Sequence, residues 1–296
     1  EKTGATYDFG MVLSTSFTGN DSLDVEFIAG EGGATLVEMD LDETGDALKI
    51  DSISYTTTLG DRVTAFFGDG TPGSALYSSA CLYSGDATKT MSDCGQASSN
   101  LDVDGITTAL GASFDLGNGY TAAVGYEGEG SSSDGLMSKE AVNAVGGQLA
   151  YNGDSLGVSY TYASIRNNDG EGNQVRFGAT VYNAINAYYN PDIENLPSFS
   201  AGYEWSHDEG TGPADDQTTN YFVGVQWDEL GNGSLGAAIG TKSPTAEGAE
   251  DLMMYEAFYS YNYADGITIT PLIYVKENSG STSDETGIIV KSTFSF

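Results

Sequence analysis

The groups able to do chemistry in this chain are almost all carboxyls. Asp and Glu number 43 against 10 Lys and Arg and one His, for a formal charge of −33 over 296 residues. Acid–base catalysis needs a carboxyl pair, or a carboxyl and an imidazole, whose environments set them apart from the other acids. Here acidic pairs recur along the whole chain, so pairing singles out no such site. His207 stands beside Asp208 and Glu209 and reads as a surface or rim histidine. No G-x-S-x-G elbow, P-loop or zinc-ligand spacing is present. The sequence therefore points to a protein that is not an enzyme and that works without a cofactor. Acidic runs such as Asp40–Glu43 and Asn167–Glu171 are at most weak Ca²⁺ candidates, because they miss the EF-hand spacing.

Cys81 and Cys94 lie in one polar stretch, CLYSGDATKTMSDC. Two thiols with no nearby His are too few for a metal, whereas an oxidising compartment would join them as a disulfide. The acid surplus excludes a nucleic-acid partner, since phosphates would be repelled rather than neutralised. The charge is scattered and does not form a disordered acidic tail.

The elements that must carry these groups are strands. Tyr7, Phe9, Met11 and Leu13 alternate with polar or small residues, and the same period of 2 returns along the chain. It is plain in Leu23–Phe27, Ile106–Leu116, Tyr120–Tyr126, Leu156–Tyr162, Phe199–Trp205 and Tyr221–Trp227. It continues through Leu235–Ile239, Tyr255–Tyr263, Ile267–Val275 and Ile288–Phe296. Such alternation means strands with one apolar and one polar face. Short turns such as Gly117-Asn118-Gly119 and Asp265-Gly266 alternate with long acidic links at 31–46, 70–105, 127–140, 165–173, 207–218, 243–250 and 277–285. Segregated loop lengths of this kind belong to a transmembrane antiparallel β-barrel with short periplasmic turns and long extracellular loops. Tyr126, Tyr162, Trp205, Trp227 and Tyr263 sit at strand ends on the apolar phase, where they would form interfacial girdles. The pattern gives about fifteen strands, and the even number usual in bacterial barrels then places a first strand upstream of residue 1, for about sixteen. The other account of the odd number is a miscount around 174–198.

If the apolar phase meets lipid, the polar phase lines a lumen. Its candidates are Asp8, Asp24, Glu26, Asp51, Arg176, Glu204, Glu256, Lys276 and Lys291. Packed dry, unpaired charges would cost several kcal/mol each, so this phase must face water. A barrel of about sixteen strands is wide enough to hold an aqueous channel. Inward Phe66, Phe222, Phe258 and Tyr274 leave room for an aromatic slide in a substrate-specific channel. The longest link, 70–105, holds both cysteines. It is expected either to fold toward the pore as a constriction, with Asp86, Lys89 and Asp93 as its charges, or to lie exposed at the surface.

Several runs resemble a known family. SFTGNDSLDVEF (Ser16–Phe27) resembles the "SFTGKDLL" segment of the cyanobacterial outer-membrane porins, which belong with the carbohydrate-selective and iron-uptake porins. NLPSFSAGYEW (Asn195–Trp205), YFVGVQWDELGNGSLGAAIG (Tyr221–Gly240) and YEAFYSYNYADGITITPLIY (Tyr255–Tyr274) resemble further strands of that family. The terminal KSTFSF resembles its "K-T-FKF" end. Asn20 departs from the usual Lys, and the family's N-terminal S-layer-homology domain is not among these residues. The resemblance implies an outer-membrane location in a Gram-negative, cyanobacterial cell. It also implies a homotrimer in contact with bilayer and lipopolysaccharide, passing small hydrophilic solutes and inorganic ions by passive diffusion. The acid surplus adds a preference for cations. A substrate-specific channel, or a structural or adhesive barrel with no open pore, is the alternative.

A strand-built membrane barrel resists detergent until heated. On gels in sodium dodecyl sulfate the unheated protein should migrate differently from the boiled protein, and identical mobility would rule the barrel out.

Overall fold

A computed structural model describes residues 4–31, 44–85, 87–101, 108–130, 135–138, 141–166, 179–191, 193, 195–208, 217–280 and 282–295. The wall begins with β1 (Asp8–Thr15), β2 (Asp21–Gly30), β3 (Lys49–Leu59) and β4 (Val63–Asp69). A helical turn, α1 (Lys89–Ser92), precedes β5 (Thr108–Gly117), β6 (Tyr120–Gly128), β7 (Asn143–Asn152) and β8 (Leu156–Arg166). Then come β9 (Thr180–Tyr189), β10 (Ser198–Asp208), β11 (Thr218–Trp227) and β12 (Gly233–Thr241). The two-residue β13 (Thr245–Ala246) pairs only with β11, and β14 (Met253–Ala264), β15 (Ile267–Lys276) and β16 (Glu285–Phe294) complete the sheet. Every neighbouring pair is antiparallel, in simple up-and-down order.

Fifteen strands lie in the continuous path from β1 to β16. The odd number makes β1 and β16, the two edges, run in the same direction. Among the described residues between 174 and 198 only β9 is found, in agreement with the count read from the sequence. No helix among the described residues is long and apolar enough to cross a membrane.

Burial runs opposite to that of a water-soluble sandwich. Along β8 exposed Leu156, Val158, Tyr160 and Tyr162 alternate with buried Gly157, Ser159, Thr161 and Ala163. Val223 is 50% exposed, while its neighbours Phe222 and Gly224 are buried. Apolar rings and branched chains thus form the outer face, and serines, amides, carboxylates and glycines, with buried rings such as Phe66, Phe222 and Phe258 among them, form the inner one.

Turn chemistry explains the tight end of the wall. Between β5 and β6, Gly117, Asn118 and Gly119 all have positive φ, at 84°, 54° and 83°. A two-residue hairpin turn needs this conformation to match the twist of its strands. At the same end Trp227 donates its indole N–H to the Asn195 carbonyl at 3.2 Å, and Tyr259 donates its hydroxyl to the Leu230 carbonyl at 2.7 Å. Tyr162 and Tyr263 are exposed on the outer face, as girdle rings should be, whereas Trp205 is half-buried. Tyr126 departs from the girdle reading and is buried. Its hydroxyl donates to Asn143 Oδ1 at 2.6 Å and accepts the Met137 amide at 2.9 Å, because the link after β6 folds over it.

On the inner face, aromatic rings lie flat across glycines of the neighbouring strand. A Cβ on Gly111 would strike the Phe66 ring, and one on Gly236 or Gly287 would strike Phe258 or Tyr274. Replacing Gly236 with Val should therefore cost about 1–3 kcal/mol through overpacking. A lowered heat-modification midpoint would register it, with the conservative Phe258→Leu change as the comparison.

Candidate pore and its inner loop

The connection from β4 to β5 is laid on the inner face in its described residues, 70–85 and 87–101. It begins at Gly73, whose amide donates to Glu127 Oε2 on β6 at 3.1 Å. The chain then runs extended across the wall. Ser78 N–H donates to Gln148 Oε1 on β7 at 2.5 Å, and Ala80 N–H to Ser159 Oγ on β8 at 3.0 Å. Leu82 N–H donates to Ser200 Oγ on β10 at 3.0 Å, and Ser84 N–H to Gln226 Oε1 on β11 at 2.9 Å. Alternate amides of an extended chain point the same way, so one lane of backbone meets a series of strands. Six extended residues span about 20 Å and four strand spacings about 19 Å, so the lane crosses the strands nearly at right angles. It ends on β14, where Glu256 accepts the Tyr83 hydroxyl at 2.6 Å and the Ala87 amide at 2.9 Å.

After α1 the chain returns along a second lane. Asn186 Nδ2 on β9 donates to the Cys94 carbonyl at 2.7 Å. Glu204 on β10 accepts the amides of Ser98, at 3.0 Å, and Ser99, at 2.7 Å. A disulfide between Cys81 and Cys94, with Cα atoms 6.5 Å apart, joins the lanes. Apolar contacts fill the space beneath. Tyr83, Ala87, Met91 and Cys94 pack with Phe222, Met254, Phe258, Leu272 and Tyr274, while Leu101 packs on Ala144, Ala163 and Ile165. Small inner residues give the backbone room. A Cβ on Gly125 would overlap the Gly73 carbonyl oxygen, and one on Gly202 the Cys94 carbonyl oxygen. Tyr77 lies in the loop with no hydrogen-bond partner for its hydroxyl among the described residues. Its burial, with the charge of Glu127 nearby, pushes the phenol up and keeps it neutral.

The candidate lining residues consequently separate. Glu204 and Glu256 face inward, yet the loop covers them and their oxygens accept its amides and the Tyr83 hydroxyl instead of meeting water. Asp8 and Lys291 are exposed, while Asp24, Glu26 and Lys276 are half-buried. Asp51 is exposed, at the bulge where β3 slips against β2. Arg176 lies outside the described residues. Of the loop charges, Asp93 is half-buried on the return lane, Lys89 falls in α1, and Asp86 lies outside the described residues. The runs Asp40–Glu43 and Asn167–Glu171 also lie outside them. His207 is exposed on the outer phase, in keeping with a rim histidine. Phe66, Phe222, Phe258 and Tyr274 form no slide: each is buried between wall and loop, or against an inner glycine, and offers no ring to a solute.

No family model matches this chain, and no curated protein does. Solved structures do match. Two engineered variants of the porin of Rhodopseudomonas blastica align at 12% identity over 98% of this chain and 90% of theirs, with TM-scores of 0.55 and 0.53. A structure described under asymmetric conductivity of engineered proteins aligns at 13% identity and TM-score 0.55 over the same shares. The wall has a porin-type fold.

Sequence reasoning missed the loop-bearing side chains Glu127, Gln148, Ser159 and Ser200. The available signal was the run of Gly, Ala and Ser on the inner phase of β5–β12, small enough for a second layer of backbone. Removing one acceptor should loosen the loop without unfolding the wall. Glu204→Leu leaves the Ser98 and Ser99 amides buried and unpaired, at about 1–3 kcal/mol each. Limited proteolysis should then cut between residues 87 and 101 severalfold faster, with heat modification of the barrel retained.

Proposed function

We propose that this chain is an outer-membrane porin that lets small hydrophilic solutes and inorganic ions diffuse passively through a water-filled channel. The observation that carries this reading is the inverted wall, apolar and exposed outside, polar inside. It suits lipid on one face and water on the other. The porin-type fold supports it, as does the absence of a catalytic arrangement in the sequence. The two-lane loop serves as the constriction and sets the size limit. Closure of the wall by one further strand between β16 and β1, antiparallel to both, belongs to the proposal.

Transport is electrodiffusion, with no bond made or broken and no cofactor. The formal charge of −33 favours cations over anions near the mouths, an effect that weakens as salt shortens the Debye length. A homotrimer in contact with lipopolysaccharide, and membership of the cyanobacterial carbohydrate-selective and iron-uptake family, are supported by the motif runs from Ser16 onward. Weak Ca²⁺ binding at the acidic loops is compatible with the same charge.

Planar-bilayer recording under a KCl gradient tests the reading. Discrete steps with a cation-selective reversal potential, moving toward zero as salt rises, are expected. Folded protein that gives no steps would leave a structural or adhesive barrel in its place.

A further inference from the structure

The loop covers the inner wall unevenly. Its recorded hydrogen bonds reach strands from β6 to β14, and its apolar contacts extend to Leu272 and Tyr274 on β15. Beyond that, among the described residues, Ile289 of β16 packs against the edge of the cluster. The inner residues of β1, from Asp8 to Ser14, are all exposed, and those of β2 and β3 are half-buried or exposed apart from Gly30, which is buried at the end of β2. The lower part of β16 is exposed as well, at Lys291 and Thr293.

Charge follows the same division. The carboxylates under the loop, Glu127, Glu204 and Glu256, are buried and accept donors from it. On β2, by contrast, Asp24 and Glu26 each accept a neighbouring serine hydroxyl: Ser22 Oγ to Asp24 at 2.8 Å and Ser52 Oγ to Glu26 at 3.1 Å. A hydroxyl orients a carboxylate and leaves its charge and its remaining oxygen lone pairs directed at the lumen.

Building on the porin reading, we infer that the aqueous passage is confined to the sector β16–β1–β2–β3, and that Asp24 and Glu26 with Lys291 are its selectivity-determining charges. The permeant class is small hydrated ions, drawn along β2 when cationic. The carboxylates beneath the loop hold it in place and meet no permeant.

Cysteine accessibility tests this, because the protein's own two cysteines are already joined. Ser14→Cys on β1 and Ser54→Cys on β3 would probe the open sector, and near-isosteric Thr161→Cys, fully buried on β8, the covered one. During single-channel recording a cationic methanethiosulfonate reagent should lower the current in steps for the first two and leave the third unaffected. Equal modification of Thr161→Cys would overturn the inference, as would unreactive Ser14→Cys and Ser54→Cys in channels that conduct. In the unmodified background, the paired change Asp24→Asn and Glu26→Gln should move the reversal potential toward the anion side, and an unchanged potential would remove their assigned role. Wild-type protein that is folded yet silent would defeat the porin reading itself, a result distinct from each of these.

Discussion

A backbone amide taken out of water needs an acceptor, and both layers of this molecule are arranged around that need. In the wall it is met by antiparallel neighbours. In the inner loop it is met by side chains of the wall, often one for each strand crossed. Ser78, Ala80, Leu82 and Ser84 donate in turn to Gln148, Ser159, Ser200 and Gln226. Each such bond contributes only about 0.5–1.5 kcal/mol net, but a buried amide left without one costs about 1–3 kcal/mol. The penalty for a misplaced loop therefore exceeds the gain from any single contact, and the loop has one well-defined seat.

Seating a backbone on a sheet also demands space. The wall supplies it with glycines where the loop's carbonyls come closest, at Gly125 and Gly202, and with alanines around Leu101. Larger inner side chains, such as Tyr274 and Phe258, are pressed against glycines of the next strand and then roofed by Met91 and Tyr83. The disulfide holds the lanes as one unit. Closing a loop of this length removes about 3 kcal/mol of chain entropy from the unfolded state in the simplest account.

Much of this was legible in the sequence, and the boundary between legible and not has a physical cause. Period-2 alternation reports which face a residue takes, so strands, inner and outer phases, and even the odd strand number follow from Tyr7 to Phe294 without coordinates. The disulfide between Cys81 and Cys94 was legible on condition of an oxidising compartment, and the structure has it. Alternation does not say what lies on the polar side. Glu26 and Glu204 read identically along the chain, yet one is half-open to the lumen and the other sits beneath two amides. Tyr126 fails for the same reason, because a loop folding onto a strand end leaves no trace in the strand's own period.

The loop precedes in sequence most of the surface that holds it. Tyr83 and the carboxylate it donates to are 173 residues apart, and Leu82 and Ser200 are 118 apart. Contacts so distant along the chain make for slow, late organisation. Until β14 is laid beside β12, the Ala87 amide and the Tyr83 hydroxyl lack the carboxylate that accepts them. The far end of the loop is accordingly settled last, by a strand that follows it at a distance of 169–173 residues.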